Sequence, residues 1–264
     1  KKKKIAGGKE NILDLNRYGV IGGGFGNALT GSSDSDMKTA QEGGGVEINQ
    51  AFNVGNVIAG GITNYITSGS VNIIGGGWKN FISGSCYSSM LGGSTNRISG
   101  STCFSAIVGG RKNHIHNSND SIIAIGCDNK LLDGSSFSII LGGAGNLSEQ
   151  QLSLIGGGRE NDILGIGKVN AILTGIRNTI TCGGSSLILN GDGNIISDGG
   201  GSTIINGRNT IISSSDNSMA MGCCNVINKS EYSQIAGGCK NFITGSTTFT
   251  NGLNNIVGGC GNLF

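Results

Sequence analysis

Residues 72–98 read NIIGGGWKNFISGSCYSSMLGGSTNRI and contain the motif Gly-x-x-Asn-x-Ile twice, at Gly77–Ile82 and at Gly93–Ile98. The same motif returns about every sixteen residues along the chain, which is a period typical of stacked repeats. A repeat this short supplies one coil of a solenoid, in which each coil contacts only its neighbours. The stretch therefore predicts an all-β parallel β-solenoid of about sixteen coils.

The marker asparagines of this motif give the register of the repeat. They are Asn11, Asn27, Asn64, Asn80, Asn96, Asn113, Asn129, Asn146, Asn161, Asn178, Asn194, Asn209, Asn225, Asn241, Asn255 and Asn262. Glycine stands three residues before nearly every marker, as in Gly61, Gly77, Gly93, Gly110 and Gly126. Glycine and asparagine both tolerate positive φ, so we expect them to form a structural ladder at one corner of each coil.

Two apolar positions per coil face inward in this register. Isoleucine or a large apolar residue stands six before the marker, as in Ile74, and two after it, as in Ile82; Met219 fills the first position near the end of the chain. Eight before the marker a small polar residue recurs, as in Asn72, Ser88 and Asn217. We expect these polar residues to stack at a second corner.

The repeat is interrupted once. The sequence predicts first coils over residues 1–29, an insertion loop over 30–57 with a possible degenerate coil around Val46 to Phe52, and the main roll over 58–264. Loops that leave a rigid scaffold often carry recognition, but a tolerated insertion explains this segment equally well.

A second apolar stripe lies five and seven residues before the marker, on the face opposite the inward isoleucines. It includes Leu91, Val108, Ile122, Leu141 and Leu173. Such a stripe is larger than the apolar area that a soluble monomer usually exposes. Apolar runs on both faces also indicate a strand that is buried on both sides. We therefore expect a parallel homotrimer that closes the stripe around its axis.

The segment Asn217 to Ile227, Asn-Ser-Met-Ala-Met-Gly-Cys-Cys-Asn-Val-Ile, resembles the YadA-like head repeat of trimeric autotransporter adhesins. Ser121 to Leu131 is a second match, and similar repeats occur in viral and phage fibre proteins and in a grass antifreeze protein. The resemblance implies a left-handed parallel β-roll, three chains in one trimer, and display on a cell or virion surface. The chain departs from the head pattern in its longer coils and in Gly-Gly pairs such as Gly76-Gly77.

Composition agrees with a repeat protein. The chain has 51 glycines, no proline and a formal net charge of +2, and its charged residues are scattered along the sequence. Such a charge is too small to indicate nucleic acid, and no apolar run has the roughly twenty residues of a membrane helix. We expect no nucleic-acid partner and no membrane insertion.

Candidate chemistry is sparse. His114 and His116 lie two apart and would need further ligands to hold a metal, so an exposed pair without metal is the preferred interpretation. Cys127, Cys223, Cys239 and Cys260 share the position two before a marker, and we expect free thiols there. We predict no catalytic residues, no cofactor and no enzymatic activity.

The function predicted from the sequence is a structural and attachment module, a rod-like segment of a surface adhesin or viral fibre. Its expected partners are its own copies, a flanking stalk, capsid or anchor protein, and a host receptor or glycan. Two alternatives stay open: an ice-binding β-solenoid, which needs a regular outward array such as threonine, and a tailspike-like trimer that processes polysaccharide.

Overall fold

The computed structural model describes residues 4–14, 19–30, 55–245, 255–256 and 258–263. The chain divides into two compact units, Lys1–Asp133 and Gly134–Phe264. Each unit is built from short parallel strands in two sheets, called here sheet A and sheet B, and each coil contributes one strand to each sheet. The prediction of an all-β parallel β-solenoid is confirmed.

The strands of the first unit alternate between the two sheets along the chain. Sheet A contains β1 (Lys4–Ile5), β3 (Val20–Ile21), β5 (Val57–Ile58), β7 (Ile73–Ile74), β9 (Ser89–Met90), β11 (Ala106–Ile107) and β13 (Ile122–Ile123). Sheet B contains β2 (Ile12–Leu13), β4 (Ala28–Thr30), β6 (Tyr65–Thr67), β8 (Phe81–Ser83), β10 (Arg97–Ser99), β12 (His114–His116) and β14 (Lys130–Leu131).

The second unit repeats this arrangement. Its sheet A contains β15 (Ile139–Ile140), β17 (Leu154–Ile155), β19 (Ala171–Ile172), β21 (Leu187–Ile188), β24 (Thr203–Arg208), β26 (Met219–Cys223), β28 (Gln234–Ile235) and β30 (Asn255–Ile256), with β22 (Gly191–Asp192) paired to β24. Its sheet B contains β16 (Leu147–Ser148), β18 (Asp162–Leu164), β20 (Thr179–Thr181), β23 (Ile195–Ser197), β25 (Ile211–Ser213), β27 (Val226–Asn228) and β29 (Phe242–Thr244).

The core of each coil is a pair of inward aliphatic side chains, one from each sheet. Ile74 pairs with Met90 in sheet A, and Ile82 pairs with Ile98 in sheet B. All four side chains are fully buried. Each such side chain contributes about 1.5–3 kcal/mol through burial, so the roll is stabilised by repetition of one small contact.

The number of turns is lower than the marker count predicted. The residues that the structure describes form about 13 turns rather than sixteen, and two markers do not occupy the ladder. The N–H of Thr210 donates to Asn194 Oδ1, so Thr210 takes the place predicted for Asn209. Asn255 lies in β30 and pairs with Gln234 in sheet A, away from the ladder corner.

One coil is a residue shorter than the sequence register assumed. Ala220, not Met219, is the fully buried inward residue of β26 and pairs with Ile235. Ser218, not Asn217, is buried at the second corner, where its N–H donates to Ser202 Oγ at 3.3 Å. The predicted register is therefore wrong by one residue here.

Most of the predicted insertion at 30–57 lies outside the described residues, as does the degenerate coil predicted around Val46 to Phe52. The predicted boundaries shift, because Thr30 belongs to β4 and Val57 to β5. The coils on either side pair directly: Val20 with Val57 in sheet A, and Ala28 with Tyr65 in sheet B.

The structure describes no helix in these residues, and therefore none long and apolar enough to cross a membrane.

Candidate interaction surfaces

The marker asparagines form a buried hydrogen-bonded ladder beneath one corner of each unit. The N–H of Asn80 donates to Asn64 Oδ1 at 3.0 Å, and the N–H of Asn96 donates to Asn80 Oδ1 at 3.0 Å. The Nδ2 of Asn80 donates to the carbonyls of Gly76 and Gly93 at 2.9 and 3.1 Å. The same bonding recurs, with small variations, at Asn113, Asn129, Asn161 and Asn178. Asn146 donates from Nδ2 to the carbonyls of Gly142 and Gly158, and its Oδ1 accepts from Asn161.

The predicted glycines make the close approach between coils possible. Gly77 has φ 92°, and a Cβ placed on it would lie 2.2 Å from the carbonyl oxygen of Gly93. The neighbouring Gly76 has open space around the same position. The same combination of positive φ and close approach to the next coil occurs at Gly61, Gly93 and Gly110. Positive φ also occurs at Gly126. Only glycine fits these positions, since any side chain would clash with the next coil.

Small polar side chains make a second ladder at another corner. The N–H of Ser88 donates to Asn72 Oδ1 at 3.0 Å, and the N–H of Ser121 donates to Ser105 Oγ at 3.1 Å. A third buried polar row eleven residues before the marker was missed in the sequence. It includes Ser85, Thr102, Ser118, Ser135, Gln150 and Ser230; Ser215, which accepts from the N–H of Ser230, takes the same place ten residues before Asn225 in the shorter coil. The row contains several residue types, so a motif search does not detect it, although every member lies at the same corner of its coil.

The outward face of sheet A is apolar in both units. In the first unit Ile73, Leu91 and Val108 are exposed, at 44%, 61% and 45%. In the second unit Leu141 and Leu173 are exposed at 51% and 38%, and their row continues through half-buried side chains at Leu189, Ile205 and Met221. This is the stripe predicted from the sequence, and in the single chain it faces solvent.

The outward face of sheet B carries mixed side chains. Among the described strands of sheet B, only β20 shows the Thr-x-Thr pattern, at Thr179 and Thr181, and its sheet neighbours are Asp162 and Ile195. A face with aspartate, threonine and isoleucine in successive strands lacks the regular array that the ice-binding alternative needs.

Cationic and aromatic side chains gather along one edge of the first unit, where the turn before each marker runs into sheet B. We call this set the basic strip; it consists of Trp78, Lys79, Phe81, Arg97, Arg111, Lys112, His114 and Lys130. Three rows form it, at the positions two before, one before and one after the marker. Cross-coil pairing holds two of these rows. Successive bridge partners are Trp78, Ser94 and Arg111, and successive strand partners are Phe81, Arg97, His114 and Lys130.

Several of these cations are held in place by neighbours. Lys79 Nζ lies 4.5 Å from the centre of the Trp78 ring, and Arg97 Cζ lies 5.3 Å from the centre of the Phe81 ring. The basic residues are scattered along the sequence, but in the structure several of them lie on one edge. The sixteen-residue period brings these distant sequence positions together, so the expectation of scattered charges does not hold in three dimensions.

The two histidines belong to a polarised hydrogen-bond chain. The backbone N–H of Ser101 donates to Asn117 Oδ1 at 2.9 Å, so Asn117 Nδ2 faces His116 Nε2 at 3.2 Å as a donor. Ser99 Oγ joins the two rings by hydrogen bonds, at 3.1 Å from His116 Nδ1 and 2.9 Å from His114 Nε2.

The surroundings of His114 also change its pKa. Burial, together with the smaller effects of the charges of Arg97, His116 and Lys130, lowers the pKa of His114 to about 4. The predicted exposed pair is therefore half-buried and internally bonded. Ring nitrogens of both histidines are engaged by Ser99 and Asn117, so the pair is not arranged to chelate a metal. No group of three or more metal-ligating side chains occurs among the described residues.

The corresponding edge of the second unit has mixed charges. Arg159 pairs with Glu160 at 3.6 Å, and Arg177 pairs with Asp192 at 2.9 Å. Burial raises the pKa of Asp162, as do the charges of Glu149 and Glu160. A shallow depression of about 580 Å³ lies beside them; glycines such as Gly191 and Gly207 line it together with Asp192 and Arg208. The described residues of this edge form no enclosed pair of carboxylates of the kind that the tailspike alternative would need.

The cysteines of the same edge are reduced. All eight cysteines are free, as expected from the sequence. Cys239 and Cys260 are bridge partners in successive coils, with their sulfurs 2.8 Å apart. The hydrogen bond with the Cys260 thiol, burial and the neighbouring thiols raise the pKa of Cys239, so this thiol is a weak nucleophile.

A scan against models of known protein families gave no match to this chain, and a search of curated protein sequences gave none either.

Proposed function

We propose that the chain is a non-enzymatic structural and attachment module of a cell-surface adhesin or a viral fibre. In this proposal the β-roll is left-handed, and the outward faces of sheet A pack together in a parallel homotrimer. A stalk, capsid or anchor protein holds the module at the surface. The basic strip and the outward face of sheet B remain available for a receptor.

The observation that carries the proposal is the apolar outward face of sheet A. In the second unit its two rows contain Ile139, Leu141, Leu154, Gly156, Ala171, Leu173, Leu187, Leu189, Thr203, Ile205, Met219, Met221, Gln234 and Ala236, with no charged residue. Soluble monomers rarely expose a continuous apolar patch of more than a few hundred Å². Sister chains are a fitting cover, since an identical stack presents the same coil spacing and the same rows.

The experiment compares two substitutions on opposite sheets of the second unit. Leu173 on sheet A and Ile195 on sheet B are nearly equally exposed, at 38% and 37%. Native mass spectrometry and light scattering should show a trimer for the wild type and for Ile195→Glu, and monomers for Leu173→Glu. Circular dichroism checks that both variants keep the β-roll. A monomeric wild type, or equal dissociation by both substitutions, would contradict the proposal.

A further inference from the structure

The basic strip has a regular charge pattern along the stack. In the turn rows, cations occur at Lys79 and again at Arg111 and Lys112, two coils further on. In the row on sheet B, cations occur at Arg97 and again two coils later at Lys130. Two coils span roughly 9–10 Å, because adjacent parallel strands are about 4.8 Å apart. Each of these four successive coils therefore presents at least one cation, in the turn rows or in the row on sheet B.

Hydroxyl groups occupy the turn rows between these cations. Ser94 lies between Trp78 and Arg111 as bridge partner of both, and Thr95 follows it in the adjoining row. Their side-chain oxygens are 3.2 Å apart. These hydroxyls share a coil with Arg97 and lie between two coils that have cationic turns.

Few negative groups oppose these cations. Between Trp78 and Leu131, Asp128 is the only carboxylate in the three rows, and its Oδ1 lies 3.4 Å from Lys130 Nζ. Arg97, Arg111 and Lys112 are exposed. The lowered pKa of His114, to which Arg97 and Lys130 contribute after burial, reports the same positive potential.

The cations are also positioned before any ligand binds. The backbone N–H of Lys112 donates to the carbonyl of Ser94 at 3.0 Å, and that of Lys79 donates to the carbonyl of Ile62 at 3.0 Å. The aromatic rings beneath Lys79 and Arg97 restrict the two side chains further. Pre-positioned groups lose less conformational entropy on binding, which favours recognition of an extended ligand.

We propose that the basic strip binds a polyanionic polysaccharide with negative groups on successive sugars, lying along the stack. Carboxylate or sulfate groups would contact Arg97, Arg111 and Lys112, and sugar hydroxyls would contact Ser94 and Thr95. One coil, about 4.8 Å, is close to the length of one extended sugar, so negative groups on successive sugars match cations in successive coils.

Single-stranded nucleic acid fits this surface less well. Its binding sites combine a basic groove with aromatic faces on which bases stack. Here the strip is an open edge, and the rings of Trp78 and Phe81 are already in contact with Lys79 and Arg97. This inference rests on the attachment function proposed above, but it is tested by a separate measurement.

The experiment measures binding of the full chain to a heparin oligosaccharide by titration calorimetry at low and at physiological salt. The variant Arg111→Gln/Lys112→Gln removes adjacent exposed cations, and binding should weaken roughly tenfold or more. The matched control is Arg159→Gln/Arg177→Gln, which removes two cations from the same rows in the second unit and should leave affinity unchanged. An uncharged chitin oligosaccharide should not bind.

Three outcomes would overturn the inference: no heparin binding by the wild type, equal loss in the control variant, or tighter binding of an oligothymidylate. The oligomeric state of each variant is recorded in parallel by native mass spectrometry. A trimer that ignores heparin would refute this inference alone, whereas a monomer that binds heparin would refute only the assembly part of the proposed function.

Discussion

The same turn edge is basic in the first unit and charge-neutralised in the second. Arg111 and Lys112 have no carboxylate in the same rows of their own coil, whereas Arg159 and Arg177 each lie beside one. Beneath both edges the asparagine ladder is the same, as at Asn113 and Asn178. The comparison shows that the ladder specifies the roll, while the outward rows vary without disturbing it and are therefore where the units acquire different functions.

Breaking the ladder should have the largest effect, and an equal one in both units. Asn113→Ala removes the bonds from Nδ2 to Gly109 and Gly126 and the acceptor for the N–H of Asn129. Leaving these buried groups unpaired should cost roughly 4 kcal/mol of stability. Asn178→Ala should cost a similar amount, measured by chemical unfolding.

The control for both ladder variants is Thr95→Ala, at an exposed position one residue before a marker. It should change the unfolding free energy by less than about 0.5 kcal/mol. If Asn113→Ala and Asn178→Ala destabilised the chain to very different extents, the two units would not share one structural principle.

Adding one methyl group to the turn should have the next largest effect. Gly77→Ala places a Cβ against the carbonyl of Gly93 at positive φ and should cost roughly 3 kcal/mol. Gly76→Ala, one residue earlier, meets no atom within 4 Å and should be neutral or slightly stabilising. Thermal unfolding of the two variants distinguishes them, and equal midpoints would show that the close approach is not required.

A smaller effect concerns pH and belongs to the first unit alone. The pKa of His114 is about 4 in the folded chain and 6.5 in the unfolded chain, so the unfolded state binds more protons between these values. Stability should therefore fall as pH decreases from 6.5 to about 4, by about 2 kcal/mol after allowance for partial exposure.

The pH effect is isolated by comparing unfolding free energies of wild type and His114→Gln across this range. The difference between the two profiles removes the contribution of Asp162, whose raised pKa acts in the second unit. A difference that stayed constant with pH would contradict the assigned environment of His114. Binding of an anion to the basic strip should raise the pKa of His114, which NMR would follow.

The fold was predictable because its determinants are local and repeated. Gly77, Asn80 and Ile82 each act within one coil and against the next, so sixteen residues contain nearly all the information that the roll needs. The predicted register was wrong at Met219, because the motif stays intact when one residue is missing between two corners. Burial of Ala220 depends on the neighbouring coils, which the motif does not describe. Asn209 and Asn255 failed for a similar reason: a motif identifies residue types, whereas a ladder position requires a bonded partner.

The candidate site was harder to predict from the sequence than the fold. Lys79, Arg97 and Lys112 are far apart in sequence, and each is an ordinary exposed residue when considered alone. Their common edge follows only from the coil period, and the pairing of Arg177 with Asp192 depends on side-chain contacts between coils. The bonded state of His114 likewise depends on Ser99, one coil earlier.

The direction of the asparagine bonds has a consequence for biosynthesis. At each described step of the ladder within a unit, the earlier asparagine presents Oδ1 to the backbone N–H of the later one, as Asn64 does to Asn80 and Asn161 to Asn178. A completed coil thus offers a ready acceptor to the segment that leaves the ribosome after it. We expect vectorial assembly, in which each new coil is templated by the last and the nascent chain never has to search for a distant partner.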